Sequence, residues 1–307
     1  MRRPTKAIAF AAALGVATLL AALPAGPAAA QGTGDSLRSR VAPPDDVVLK
    51  AYIDSGVTPK PHELTEAEWA KVDAALARLP ALHRRVLQEH LRRLSFVEVP
   101  PGGGNALTRD VDPKSADKQF DITLRAGLLD ETLTEFLNGK ERGVFEADAS
   151  GKTVTLEAGD TSALVYILLH ETTHAVDATL GVSTSPRGPF TSGIWLDRTR
   201  LASPYDRSLI SSTTFRRGPK TPAAKAQALY QALSRTPFVS LYATAAAGED
   251  LAELVAWQQL STQPDQGLAI VVKDAGGRTV YRYEPLKSPL VRRRFAAVKQ
   301  LLARSAS

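Results

Sequence analysis

The chain has 307 residues, with 38 lysines and arginines against 32 aspartates and glutamates, and it has no cysteine. Its formal net charge is +6, but three basic residues lie within the first six positions, which leaves +3 for the rest. So small a charge does not indicate a nucleic-acid partner. The absence of cysteine excludes disulfide bonds from the forces that stabilise the fold.

Residues 1–30 have the order of a cleaved secretory signal peptide. Basic residues open the chain, an apolar run extends from Ala7 to Leu23, and small residues lead to Ala30. The run is short and rich in alanine for a membrane span, although an uncleaved anchor is the alternative. We therefore expect cleavage after Ala30, a secreted or periplasmic location, and no stable membrane insertion after cleavage.

Residues 31–60 are rich in Gly, Ser, Pro and Asp, and we predict a flexible leader with little structure there. The length that remains after cleavage suits one large domain or two small ones, with an ample core, and we predict one domain over residues 61–307. Within them, a capping box at Thr65 and a break at Pro80 predict a helical pair over residues 65–94. The main body of the domain is then expected over about residues 115–307.

The pattern along this body alternates short strands with helices. Strands are predicted at "SFVEV", "QFDITL" and "KTVTLEAG", and a hairpin around Asp274–Gly277. A helix is predicted to stop at Asn138-Gly139 and another to run from Ser162 to Leu180-Gly181. Residues 182–220 are predicted to be a long surface excursion. Further helices are predicted within 222–233, 237–260 and 289–303, the last with Arg292–Arg294 on a solvated face. Helices with few strands favour an α+β fold.

The stretch "LLHETTHAVD", residues 168–177, carries the strongest chemical signal. Side chains four apart on a helix lie on one face, so His170 and His174 can bind one metal ion. Glu171 is offset around the helix and can reach a water beside the metal without being a ligand, which is the arrangement of an HExxH site. The alternative is a buried helix with two hydrogen-bonded core histidines.

A catalytic zinc ion usually takes three protein ligands. The other histidines are His62, His83 and His90, all in the N-terminal helical part, and the last two are predicted to lie on a solvated basic face. Because no histidine follows His174, the third ligand is expected to be a carboxylate.

The stretch "GEDLAELVAW" offers carboxylates on a predicted helix that is otherwise apolar. Glu249 and Glu253 lie four apart, and two acids that face a core need partners. We expect Glu249 on the metal and Glu253 hydrogen-bonded to the second nitrogen of a ligating histidine. Asp250 is the alternative ligand, and a charged outer helix face is the alternative to both. Asp177, three residues after His174, either orients that histidine or begins the exit from the helix.

Together, "HETTHAVDATLG" and "SLYATAAAGEDLAELVAW" resemble the catalytic core of the anthrax lethal factor type of zinc metallopeptidase. In both, a Tyr precedes by seven residues a Glu that opens an E-x-x-A-E helix. The resemblance implies a mainly helical, zincin-like catalytic domain with a small sheet. It also implies one Zn²⁺ on His170, His174 and Glu249, Glu171 as general base, and Tyr242 as donor to the developing oxyanion. The family often has Asn before the Glu, where this chain has Ala245–Gly248, so substrate preference stays open.

The predicted function is an exported zinc metallopeptidase that acts on a protein or peptide. One alternative is a metal-dependent amidase that uses the same metal site to hydrolyse amide bonds in cell-wall peptides. Another is a binding module that retains the fold without turnover. A mere metal binder has no need of Glu171, so its presence favours a catalyst.

Overall fold

The computed structural model of the protein describes residues 37–100, 103–185 and 187–303. The predicted signal peptide lies outside these residues. Within them, none of the helices combines the length and the apolar character needed to cross a bilayer.

The described residues form eight α-helices and nine short strands, an α+β arrangement as predicted. The helices are α1 (Asp46–Asp54), α2 (Glu66–Ala77), α3 (Ala81–His90), α4 (Leu133–Glu141), α5 (Ala163–Leu180), α6 (Ala226–Leu233), α7 (Ala247–Leu260) and α8 (Pro289–Ala303). The strands are β1 (Lys60–Pro61), β2 (Leu91–Glu98), β3 (Ala106–Asp110), β4 (Phe120–Arg125), β5 (Phe145–Glu146), β6 (Thr153–Glu157), β7 (Thr221–Pro222), β8 (Ala269–Lys273) and β9 (Thr279–Tyr283).

The strands form three small sheets. The largest has the order β1-β2-β4-β3, in which β2 and β4 are parallel and β3 is antiparallel to β4. A second, antiparallel sheet has the order β6-β8-β9, and β5 pairs with β7 in parallel. In the large sheet β3 lies at an edge, and it packs against α5. This contact places the edge strand β3 beside the middle of that helix.

Helix α5 is the centre of the core. Fourteen of its 18 residues are buried, and it packs against α3, α7 and β3. The side chain of Ser162 caps its first turn, and Gly181 follows its last residue with a φ of 68°. That left-handed conformation suits glycine, so the chain leaves the helix where the sequence predicts. Because nearly all sides of this helix are covered, each polar side chain on it needs a hydrogen-bond or ion-pair partner inside the core.

Two predicted helix ends are wrong. Helix α3 ends at His90 rather than near Leu94, because residues 91–97 pair with β4 and bury both faces of β2. Helix α4 runs through Asn138-Gly139 to Glu141. The Asn138 side chain bonds the backbone N–H and C=O of Leu156, at 2.9 and 2.7 Å, so this asparagine joins α4 to β6 instead of ending the helix.

The predicted lack of structure over residues 31–60 is wrong for the part that the structure describes. Asp45 caps α1, and its carboxylate also accepts hydrogen bonds from Arg92 and Arg109, at 2.7 and 2.9 Å. Val48 and Tyr52 are buried against Val97 of β2 in a small apolar cluster. These contacts bury part of the segment and hold it in a helix, although its polar composition predicts little structure.

Residues 182–220 cross the surface in turns and short 3-10 helices, as predicted, but they are anchored by buried side chains. The Trp195 indole donates to Asp250 on α7 at 2.8 Å, and Arg294 of α8 donates to the other oxygen of the same carboxylate at 2.6 Å. The prediction that Arg294 lies on a solvated face is therefore wrong, whereas Arg292 and Arg293 are exposed. Asp250 thus joins the surface segment and the last helix to α7.

Replacing Arg294 with methionine should lower the free energy of unfolding by about 3–5 kcal/mol. The substitution leaves the Asp250 carboxylate, which has no exposed surface, without its cation. Arg293→Met, on the exposed side of the same helix, is the matched control and should change stability by less than about 0.5 kcal/mol. Urea unfolding of the two metal-free variants measures the difference, and equal losses would contradict this role of Arg294.

Candidate metal centre

Helices α5 and α7 bring together three side chains of the kinds that can bind a metal ion. His170 Nε2 lies 3.2 Å from His174 Nε2 and 3.0 Å from Glu249 Oε2, and His174 Nε2 lies 3.5 Å from the same oxygen. One ligand atom from each residue falls within 4.8 Å of the other two. Among the described residues, this is the one group of His, Cys, Asp and Glu side chains with that convergence. The predicted set of His170, His174 and Glu249 is therefore assembled, and two histidines with one glutamate match a catalytic zinc site.

The first histidine is backed by Glu253, one turn after Glu249 on α7. Glu253 Oε1 lies 3.3 Å from His170 Nδ1, at ion-pair distance but outside hydrogen-bond alignment. The carboxylate also accepts hydrogen bonds from Ser240, at 2.6 Å, and from Tyr166. The predicted hydrogen bond from His170 to Glu253 is therefore not formed, but these contacts fix a buried negative charge beside the second nitrogen of the ring. Such a charge orients the ring and makes it a better ligand.

Asp177 and Asp250 do not take part in this group. Both oxygens of Asp177 accept from Ser183, one from its backbone N–H at 2.7 Å and one from its hydroxyl. Asp177 therefore shapes the exit from α5, and no hydrogen bond joins it to His174 among the described contacts. Asp250, the alternative ligand, is directed to Trp195 and Arg294 and away from the histidines.

Of the other histidines, His83 lies in the core, and His62 and His90 are half-buried. His83 is fully buried, and its Nε2 lies 2.9 Å from the hydroxyl of Thr173, between the two metal-ligand positions of α5. Burial lowers the pKa of His83 to about 4, so the ring is neutral at pH 7. The prediction of a solvated face is wrong for His83, because α3 turns this residue towards α5 and leaves its arginines outside.

Glu171 points out of the ligand group towards β3. Its Oε2 accepts a hydrogen bond of 2.7 Å from the Thr108 hydroxyl, which also lies 3.1 Å from the Glu171 carbonyl oxygen. The side chain lines a cleft of about 870 Å³ together with His170 and Tyr242. A carboxylate held beside the metal ligands and open to a cleft can exchange a proton with a bound molecule. Thr108 is not identifiable from the sequence pattern, which predicts no strand at β3.

Tyr242 lies against the first histidine, with ring centroids 5.8 Å apart, and a cation also lies over its ring. The ammonium of Lys140 is 3.2 Å from the centre of the Tyr242 ring and 3.8 Å from Glu253 Oε1. Burial raises the pKa of Tyr242 well above its ordinary value, and the charges of Glu249, Glu171 and Glu253 add to this effect. The phenol is therefore protonated at pH 7 and can donate a hydrogen bond.

Lys140 is the functional candidate that sequence reasoning misses. It lies on α4, its side chain is largely buried, and it lines the cleft. Burial lowers the pKa of Lys140, and Glu253 and Glu249 act against this decrease. In the sequence it follows an Asn-Gly pair that predicts the end of a helix, and only the continuation of α4 turns it towards Tyr242.

The charges of the site favour a divalent cation. Three carboxylates, Glu171, Glu249 and Glu253, and one ammonium, Lys140, leave two uncompensated negative charges when the histidines are neutral. Burial lowers the pKa of His170, but the hydrogen bond with Glu249 and the negative charges of Glu249 and Glu253 outweigh it and raise the pKa to about 9. The same carboxylates that hold a proton on the ring would attract a metal ion. The residues present therefore fit a bound Zn²⁺.

The cleft beside the ligands is built from distant parts of the chain. Tyr52 of α1, residues 104–107 before and within β3, α4, and Phe215 of the surface segment all line it. Burial, with the charge of Glu171, raises the pKa of Tyr52 to about 12. The segment predicted to be a leader thus forms one wall of the cleft.

Comparison with known proteins finds no relative. No family model, no curated protein and no solved structure matches the chain. Its function therefore has to be inferred from its own residues and their geometry.

Proposed function

We propose that the chain is an exported zinc-dependent metallopeptidase with a zincin-like catalytic domain, similar to the lethal factor type. The observation that carries the proposal is the convergence of His170, His174 and Glu249 beside Glu171, at the wall of a cleft. Export follows from the signal-like order of residues 1–30.

His170, His174 and Glu249 would hold the zinc ion, which supplies Lewis-acid polarisation of a carbonyl and a lower pKa for water. Glu171 accepts a proton from the attacking water at its carboxylate and delivers it to the leaving amine. Tyr242 donates its phenolic proton as a hydrogen bond to the oxygen that gains negative charge. Lys140 keeps the Tyr242 ring in place and balances the charge of Glu253.

Zinc analysis and a peptide-hydrolysis assay on the same preparation test the proposal. The purified chain should contain about one zinc per molecule and should hydrolyse members of a peptide library. Removal of the metal with a chelator should abolish hydrolysis, and added Zn²⁺ should restore it. Hydrolysis that survives complete removal of the metal would contradict the proposal, and so would a metal-loaded, folded chain that cuts no peptide in the library.

A further inference from the structure

Charge is distributed very unevenly along the chain. Residues 31–180 contain 24 acidic and 17 basic residues, a net charge of −7. Residues 181–235, which we call the basic segment, contain nine basic and two acidic residues, a net charge of +7. Of the nine, all except Arg216 are exposed. Such an uneven distribution of charge affects ligand binding only where the charged surface borders a binding site.

The basic segment reaches the cleft at Thr214 and Phe215, which line it. The next residue, Arg216, donates hydrogen bonds to the carbonyl oxygens of Thr244 and Ala245. In the sequence, Thr244 and Ala245 lie between Tyr242 and the proposed metal ligand Glu249. The segment is therefore held against the catalytic region at this point.

A second contact brings the segment to α4. The backbone N–H of Thr221 donates to the carbonyl of Val144 at 2.8 Å, and β7 pairs with β5 directly after this helix. Lys220 is thereby placed near the end of α4, where Lys140 and, directly after the helix, Arg142 line the cleft.

We call Arg142 and Lys220 the basic rim. Both are exposed, and no described carboxylate lies within ion-pair distance of either side chain. The acidic residues nearest to Arg142 in sequence are Glu141, which is buried and accepts from Tyr230, and the exposed Glu146 of β5. The rim therefore carries excess positive charge in contact with water.

The acidic side chains of the cleft, in contrast, have partners. Asp130 pairs with Lys71. Glu131 accepts two hydrogen bonds from Arg125, at 2.9 and 2.7 Å. Glu135 accepts from the backbone N–H of Thr132, at the N-terminus of α4, where the helix dipole favours a negative charge. Of the three cations that line the cleft, Arg125 pairs with Glu131 and Lys140 with Glu253, whereas Arg142 has no described carboxylate at ion-pair distance.

We propose that the cleft selects peptides that carry aspartate or glutamate close to the bond that is cut, with these side chains held at the basic rim. The proposal deepens the proposed function and rests on it for the cutting step. Positive charge at the mouth of a low-dielectric cleft raises the local concentration and the association rate of an anionic ligand, and added salt screens the effect. The acidic residue would be recognised by Arg142 and Lys220 through direct or water-mediated ion pairs.

Binding to the Glu171→Gln chain tests the proposal without hydrolysis. The probes are fluorescent peptides that differ only in having glutamate, glutamine or lysine at the same positions flanking the central bond. Arg142→Glu/Lys220→Glu alters the rim, and Arg292→Glu/Arg293→Glu makes the same change of net charge on α8, outside the cleft. Fluorescence anisotropy gives the dissociation constants, and circular dichroism checks the folding of each variant.

The rim variant should bind the glutamate peptide about tenfold more weakly than the α8 variant does, with the glutamine peptide changed by less than about twofold. The preference for glutamate over glutamine should decrease as salt rises. Equal binding of these two peptides by the chain with an intact rim, or equal losses in the two variants, would overturn the proposal.

The two proposals fail separately. Rim-dependent binding of the glutamate peptide, in a chain whose unmutated form cuts no peptide, would support the acidic preference and contradict the peptidase. Efficient hydrolysis of the glutamine or lysine peptide, with the glutamate peptide cut no faster, would do the reverse.

Discussion

Glu171→Gln should lower kcat by about 10²- to 10⁴-fold for any peptide that the chain cuts, and should leave the zinc content unchanged. Glutamine has nearly the same shape as glutamate, but its amide cannot accept the proton that the attacking water releases. Glu171 is directed to the Thr108 hydroxyl, 2.7 Å away, and not to the three converging ligand atoms. The substitution should therefore remove a proton acceptor without removing a ligand.

Steady-state kinetics and metal analysis of the same preparation separate these two effects. Thr108→Val is the useful companion, because it removes the hydrogen bond to Glu171 and retains the carboxylate. We expect it to reduce kcat by much less than Glu171→Gln does. If Glu171→Gln kept its activity, or if it lost zinc together with activity, Glu171 would not be the general base.

The convergence of His170, His174 and Glu249 can be predicted from sequence because much of its geometry is local. The spacing of His170 and His174 fixes their relation on any helix, and the spacing of Glu249 and Glu253 does the same on α7. Two acids in an apolar helix require buried partners, and the paired histidines are suitable ones. The zincin-like fold and the zinc itself remain predictions.

The surroundings of the site could not be predicted, because they depend on contacts between distant residues. Thr108 reaches Glu171 only after β3, a polar and half-exposed strand, pairs with β4. Lys140 reaches Tyr242 only because α4 continues past Asn138-Gly139. Tyr52 reaches the cleft because Asp45 forms ion pairs with Arg92 and Arg109. In each case a non-local contact outweighs a local propensity that predicts a loop, a helix end or a flexible segment.

Glu249→Ala should weaken zinc binding by at least about 100-fold, the size of loss that removal of even an outer partner of a metal ligand can cause. The two histidines would remain 3.2 Å apart without the carboxylate that faces both of them. In the protein as it stands, burial opposes ionisation of Glu249, yet His174 and His170 hold the pKa of this carboxyl well below its usual range. The carboxylate is therefore charged and available to a metal ion at neutral pH. Competition with a chromogenic chelator measures the zinc affinity.

Asp250→Asn is the matched control for this experiment. Asp250 is the next residue on the same helix and also has a carboxylate side chain, but it is joined to Trp195 and Arg294. Its replacement should lower stability, because the guanidinium of Arg294 loses its charged partner in a buried setting, and should leave zinc affinity within about threefold. Loss of zinc in Glu249→Ala alone would assign the third ligand to Glu249. Equal weakening in both variants would mean that α7 affects the metal only by holding α5 in place, and retention of zinc in both would leave the two histidines without a carboxylate partner from this helix.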